Sequence, residues 1–535
     1  MTQSPTSERV RLPGLDDDTT GTVNRLLEQL RTRRQANLVA GQYNDGKRFL
    51  RRVQSGIIPA QYYNLGLVLG WSPKAVELLG RRTNLDGFQW AEGDLADLGL
   101  RELMDANQFL REIDSAQDLS LLHGPAFLIN TVGAEEDGEH RSLIHAKDAL
   151  NATGDWNARR RHLDNLVSIT GRGEQAAVLS FAFYDDGRTL VAQRDSVGSP
   201  WRWEWQDHDF GVPVELLAYK PTTTRPFGRS RITRPMMGLQ DAATRGLIRL
   251  EGHMDIYGEP DYWLLGADET VFQNDDGSVK SAAQVRLGRI KGVPDDDDAP
   301  SDALARADVK QFAASDPTPH LSHINALAKM FARESQLPDT ALAITDVSNP
   351  TSAESYDASQ YELIAEAEGA TRDWSLPTRR SIIRGLAIQN GERSVPDAWK
   401  SIDAKYRNPR YLARSAEADA GMKNIAAVPW LADTEVGLEL LGLSEVQIRR
   451  ALAEKQRAAG RAVLESLASP SETTAAPAED AAATKAKADA MGVLIRSGVA
   501  PEVAAERVGF TGLKFTGAVP VSLRMPEADA AALED

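Results

Sequence analysis

His320 and His323 stand three residues apart, a spacing that puts two imidazoles on one helix face, where they could share a metal ion. No carboxylate stands at a matching ligand position, so a surface or interface role outweighs a metal site. The remaining histidines, His123, His140, His145, His162, His208 and His253, form no ligand pattern. Gly41 to Lys47 has the outline of a phosphate-binding loop, but Arg48 stands where a Ser or Thr would hold Mg2+. A helical pattern also precedes it, where a strand is needed. Gly171 to Ala176 has the outline of a dinucleotide fingerprint, yet it leads into a strand pattern and reads as a turn. No HExxH or GxSxG run occurs, and without cysteine there is no thiolate chemistry and no Cys-based zinc site. The sequence therefore offers no catalytic residue, no cofactor site and no metal site.

Charge is the unusual feature. From Asp339 through Glu368 there is no Lys or Arg, while the acids are Asp339, Asp346, Glu354, Asp357, Glu362, Glu366 and Glu368. A solvated acidic helix has the same composition. The whole chain, 535 residues, carries a formal net charge of −16. Tight DNA binders cluster Lys and Arg against phosphates. This balance argues against such a binder and is compatible with a conduit, where attraction to phosphates would act as a brake.

The elements around these residues follow from apolar spacing. Ile232, Met236, Leu239, Ala243, Leu247, Leu250, Met254 and Tyr257 recur at steps of three and four, predicting a helix from Arg234 to Tyr257. Thr233 is positioned to cap it, and Pro235 falls in its first turn. A second helix with Leu321, Ile324, Ala328 and Phe331 on one face ends at Leu337-Pro338. A third is expected over 353–368, and a further one over 375–389 carrying Arg379, Arg380 and Arg384. Upstream, helices are expected over 22–43, after Ser72-Pro73 with Ser72 as cap, and over 94–117. Strands are expected over 126–132, 178–184 and 189–193, the last two joined at Asp186-Gly187. Trp201, Trp203 and Trp205 alternate as one packed sheet face, an assignment preferred over base stacking. Downstream, two helices near 433–441 and 444–467 are expected, the second opened by a Ser444/Gln447 capping box. Its Arg449, Arg450, Lys455, Arg457 and Arg461 are either a solvated face or a contact with nucleic acid. Short helices are expected over 485–496 and 501–508. No apolar run reaches the ~20 residues of a membrane span.

The order of these pieces resembles the portal proteins of tailed double-stranded DNA phages, in the branch found in actinobacterial siphophages. The resemblance covers about Val23 to Val463. It rests on Phe227-Gly228-Arg229-Ser230 before the long helix, Leu265-Gly266-Ala267-Asp268 after it, Leu337-Pro338, and Asn349-Pro350-Thr351-Ser352-Ala353. Ser355-Tyr356 departs from the small or aliphatic residues of relatives.

The resemblance implies an α+β portal fold: an α/β wing, long stem helices, a small β-containing clip, a tunnel helix and a helical crown. Its expected parts are a flexible arm (1–21), wing (22–226), stem helix (227–258), clip (259–316), second stem helix (317–338) and tunnel loop (339–352). The tunnel helix and return to the wing (353–394), crown (395–467), and linker with tail (468–535) follow. Asp339, Asp346, Ser348, Asn349, Thr351, Ser352 and Glu354 would line the DNA channel. Met236, Leu239, Ala243, Leu247, Leu250 and Met254 would pack subunits, and Asp295, Asp296, Asp297 and Asp298 would meet a partner at the clip.

The implied partners are copies of the chain in a ring of about twelve, double-stranded DNA, the large terminase subunit, a head-completion or adaptor protein, and major capsid and scaffolding proteins. No membrane is involved. The implied location is the capsid portal vertex of the virion, assembled in the host cytoplasm. The competing readings are a monomeric adaptor or minor head protein, and a DNA-processing enzyme of the particle.

Overall fold

Asp16 opens the first helix, α1 (Asp17–Asn44), by accepting from the backbone N–H of Thr19 at 2.7 Å. The helix starts five residues before the expected boundary, and residues 9–16, which precede it, are not a solvated arm. Val10 and Leu12 are buried, and Asn24 brackets the chain by accepting from Val10 N at 2.8 Å and donating to Val10 O at 2.9 Å. Val10, Leu12 and Leu15 cover the tryptophan face of a sheet, a role that polar composition conceals. Leu12→Ala is therefore expected to cost about 2 kcal/mol or more. A thermal midpoint unchanged from wild type would return this segment to solvent.

In this computed structural model the described residues are 9–47, 67–258, 262–265, 273–274, 276–278, 300, 308–311, 316–338, 341–342, 358–410, 414–468, 488, 490–491, 495 and 500–510. They divide into two compact units, Met1–Tyr411 and Leu412–Asp535.

In the first unit, α2 (Trp71–Gly80), α3 (Leu100–Ala106) and α4 (Phe109–His123) accompany α1. Ser72 sits inside the first turn of α2 rather than capping it. The strands are β1 (Leu85–Trp90), β2 (Pro125–Val132), β3 (Ser142–Asp148), β4 (Ala152–Asn157), β5 (His162–Arg172), β6 (Val178–Asp185), β7 (Arg188–Gln193), β8 (Arg202–Asp207) and β9 (Val214–Ala218). β4 to β8 form an antiparallel sheet in the order β4-β5-β6-β7-β8, and β2, β3 and β9 form a second in the order β3-β2-β9. Phe127, Ile129, Leu166, Tyr184 and Val214 form an apolar cluster drawn from both sheets. The outer face of the larger sheet carries Trp201, Trp203 and Trp205, packed as one face with Phe181, Leu190, Val23 and Leu26. Arg194 and Arg188 lie over Trp201 and Trp205. Gly41 to Asn44 is the last turn of α1, so no phosphate-cradling loop forms there. Gly171 lets β5 approach Ser180 closely, and one 3-10 turn over Glu174–Ala176 follows.

Two long helices come next, α5 (Arg234–Gly258) and α6 (Thr318–Glu334). Between them, β10 (Tyr262–Leu265) pairs antiparallel with β11 (Asp308–Gln311). α7 (Tyr361–Gln389) is one helix where two were expected, and it continues through Pro377. A mid-helix proline costs ~3 kcal/mol. Burial of Trp374, Ile382, Ile383 and Leu386 on either side offsets that cost. Finally β12 (Ile402–Tyr406) pairs antiparallel with β1, Trp90 opposite Ile402. The segment from 395, expected to begin the crown, thus closes a sheet of the first unit.

The second unit contains α8 (Arg414–Ala427), a 3-10 turn over Pro429–Asp433, α9 (Glu435–Leu440), α10 (Glu445–Ala468) and α11 (Pro501–Val508). Half of the expected capping box forms: Gln447 Oε1 accepts from Ser444 N at 2.9 Å, and the Ser444 hydroxyl donates to the same oxygen at 3.1 Å.

Candidate stem and channel site

The long helices α5 and α6 run antiparallel, with His253 against His320, Gly246 against Ile324 and Arg231 against Ser335. A side chain at Gly246 would meet Ile324 at 3.1 Å, so glycine permits the close approach. Tyr43 donates to Asp241 at 2.9 Å, and Ser72 N donates to Gln240 Oε1 at 3.0 Å, fastening α5 to α1 and α2. Thr233 does not cap by its side chain; its carbonyl accepts from Met237 N at 3.0 Å.

The base of this pair is set by a buried charge. Arg231 donates to Ala75 O at 2.9 Å, Tyr219 Oη at 3.0 Å and Ser335 O at 2.7 Å, and it pairs with Glu366 on α7. Glu366 also accepts from Tyr219 and Lys220. The Gln336 amide, oriented with its nitrogen toward the carboxylate, adds contacts of 3.2 and 3.1 Å. Burial alone would push the Glu366 carboxyl up. The Arg231 charge and the hydrogen bonds from Arg231, Lys220 and Tyr219 outweigh burial and hold it below the usual carboxylate range. Burial raises the Tyr219 phenol. Helices α5, α6 and α7 thus share one fixed joint.

This joint escaped the reading from sequence, which only counted Glu366 among the acids of the run without Lys or Arg. Its signal was present: Leu363, Glu366, Ala367 and Ala370 share the buried stripe of α7. The exposed face of the first turns of α7 carries Tyr361, Glu362, Ala365 and Glu368 instead.

The residues expected to pack subunits divide. Met236 and Ala243 are buried within the chain's own core. Leu239, Leu247 and Leu250 are half-buried against that core. Met254 is exposed, and Met330 on α6, not anticipated, is exposed as well. Asp339, Asp346, Ser348, Asn349, Thr351, Ser352 and Glu354 lie outside the described residues, as do Asp295, Asp296, Asp297 and Asp298. Among the described residues no group of three or more His, Asp or Glu could hold a metal ion. No helix among them is long and apolar enough to cross a membrane.

Residues 54–460 match the model of the phage portal protein family, SPP1 Gp6-like. The chain belongs to that family. The portal proteins of Mycobacterium phages D29 and L5 are each 22% identical to this portal chain over 371 residues, covering 68% of it and 74% of the relative. Among solved structures, the neck of an empty gene transfer agent particle computed with C6 symmetry is similar at 16% identity and a TM-score of 0.38. That match covers 71% of this chain and 94% of that one. The neck of the native particle computed with C12 symmetry is similar at 14% identity and a TM-score of 0.37, covering 69% and 89%. The resemblance read from Phe227 to Ser230 and onward is borne out, and the α+β fold is that of a phage portal protein.

Proposed function

We propose that this portal chain assembles with copies of itself into a ring of about twelve at one capsid vertex, whose axial channel passes double-stranded DNA during packaging and ejection. The observation that carries the reading is the long helix pair with a fixed base, which leaves Met254 and Met330 facing out, in a chain of the portal family. The span between α5 and α6 would dock the terminase motor and later a head-completion protein, with Asp295 to Asp298 at its tip. The chain would not hydrolyse ATP itself. Solution mass and negative-stain images test the ring. A monomer at every concentration, or a DNA-stimulated ATPase in the isolated chain, would overturn the reading.

The acids of 339–354 and the exposed Glu362 and Glu368 would border the channel. DNA carries one negative charge per ~1.7 Å of duplex axis, so a fixed cation there competes with movement at every subunit. Screening confines the effect to side chains within ~8 Å at physiological salt. Glu362→Lys, Glu368→Lys, Asp346→Lys and Glu354→Lys are each expected to leave rings intact and slow packaging several-fold, with relief by added salt. Glu28→Lys, at an exposed position of α1, is the control. Packaged length against time at two salt concentrations gives the comparison; variants that track the control at both do not face the DNA.

A further inference from the structure

Arg159, Arg160 and Arg161 stand in a row at the turn between β4 and β5, all exposed, in a chain of net charge −16. Among the described residues none of the three forms an ion pair. The turn is fixed from within. Asn157 Oδ1 accepts from Arg159 N at 3.0 Å and from Arg160 N at 2.9 Å, and Asn157 O accepts from Arg161 N at 2.8 Å. Asn157 Nδ2 also donates to both oxygens of Asp164 at 3.0 Å, so that acid is held by an amide and not by an arginine. Arg161 is left-handed, at a φ of 55°, where a glycine would cost less.

Beside this tip lies a cavity of about 400 Å3, and Arg160 belongs to both. Leu163, Phe210 and Val212 give the cavity an apolar lining, and Arg380 and Arg384 line it from α7. Glu215 lines it as well but is matched, since Arg384 donates to it at 2.6 Å. Arg380 stands 4.0 Å from Glu215 with 46% of its side chain exposed. With Asp164 and Glu215 engaged, Asp186 is the one remaining acid of the lining. A cleft of this size with an apolar wall and a few fixed charges suits a single inserted side chain. Phosphate backbones need only the charges and leave such a wall unused.

We infer that the β4–β5 tip and its cavity bind an acidic segment of another polypeptide. Its carboxylates lie against Arg159, Arg160 and Arg161, and one apolar side chain enters the cavity beside Phe210. The anchor supplies most of the affinity, and the arginines supply selection and salt dependence. No part of this surface comes from α5 or α6, so it is additional to the ring contacts proposed above.

Fluorescence anisotropy on the full-length protein tests this, with the labelled peptide Asp-Glu-Phe-Glu-Asp and two others, one with Ala for Phe and one with Lys for the acids. The acidic Phe peptide is expected to bind and to weaken with added salt, the Ala peptide to bind about tenfold more weakly, and the Lys peptide not to bind. Arg159→Glu/Arg160→Glu should weaken the Phe peptide at least tenfold at an unchanged thermal midpoint, because both side chains are exposed and outside any ion pair. Phe210→Ala should instead erase the preference for Phe over Ala and keep the salt dependence. No binding at millimolar peptide would overturn the inference, as would equal binding of the Lys peptide or an arginine variant that binds like wild type. A short labelled duplex that binds where the peptides do not, and is lost in the arginine variant, would assign the tip to nucleic acid instead. Peptide bound by dissociated subunits and never by rings would assign it to a neighbouring copy. The readout is peptide and not assembly, so a failure here leaves the ring reading standing.

Discussion

Glu366→Ala is expected to cost the first unit about 3–5 kcal/mol, because it leaves Arg231 charged, buried and without its carboxylate. The Arg231 and Glu366 side chains are 3% and 4% exposed, so water cannot replace the lost partner. Lys220, 36% exposed, adds much less to this figure. Arg231→Met combined with Glu366→Leu removes both charges and should recover most of the loss, since matched apolar replacement of a buried pair is often neutral. The pH dependence has a definite sign. The folded carboxyl titrates below its unfolded value of ~4.3, so the pair contributes fully above that value. The contribution is lost as pH falls through the lower, folded value. Urea midpoints between pH 7 and pH 3 should therefore fall more steeply for wild type than for Glu366→Gln. A loss under about 1 kcal/mol in Glu366→Ala would mean the joint is open to water.

Met254→Asp combined with Met330→Asp should abolish rings while leaving the unfolding transition of the first unit in place. Both methionines are about half exposed in the isolated chain, at 49% and 55%. Burying the rest of each against a neighbour is worth about 1 kcal/mol, and a carboxylate buried there instead costs several more. Every subunit would make that contact on two sides, so the defect multiplies around the ring. Ala243→Asp is the contrast: Ala243 is fully buried within the chain, and its substitution should unfold the unit outright. Leu247→Asp/Leu250→Asp should do some of each, because both leucines are half-buried against the chain's own core. Sedimentation velocity and calorimetry on the four proteins separate the two losses. Normal rings from the methionine variant would remove these helices from the subunit contact.

The parts legible in the sequence were those whose partners lie nearby in the chain. The steps from Ile232 to Met254 gave the long helix, and the alternation of Trp201, Trp203 and Trp205 gave a packed sheet face. Pairings between distant segments left no local trace. Ile402, Ala404 and Tyr406 alternate over only five residues, and nothing near them points to Trp90, Phe88 and Leu85. The N-terminal segment was judged on its polar residues, although Val10 and Leu12 carry the packing. Glu366 was read only as one of a run of acids, while the apolar period around it marked it as inward-facing. Of the candidate site, the helices were readable and the faces they present were not, because which apolar residues are spent on the chain's own core depends on α2 and α6.

The joint at Arg231 also sets an order of events in synthesis. Its partners come from far apart: Arg231 and Ala75 are 156 residues apart, and Tyr219 and Glu366 are 147 apart. Long loops must close before such contacts return any energy. Ala75, Tyr219 and Ser335 all precede α7, so before α7 has emerged from the ribosome Arg231 can reach these three acceptors but has no carboxylate to balance its charge. A chain truncated before Glu366 is therefore expected to hold the base of the helix pair less firmly than the full chain, leaving a neighbour a less fixed surface to dock against.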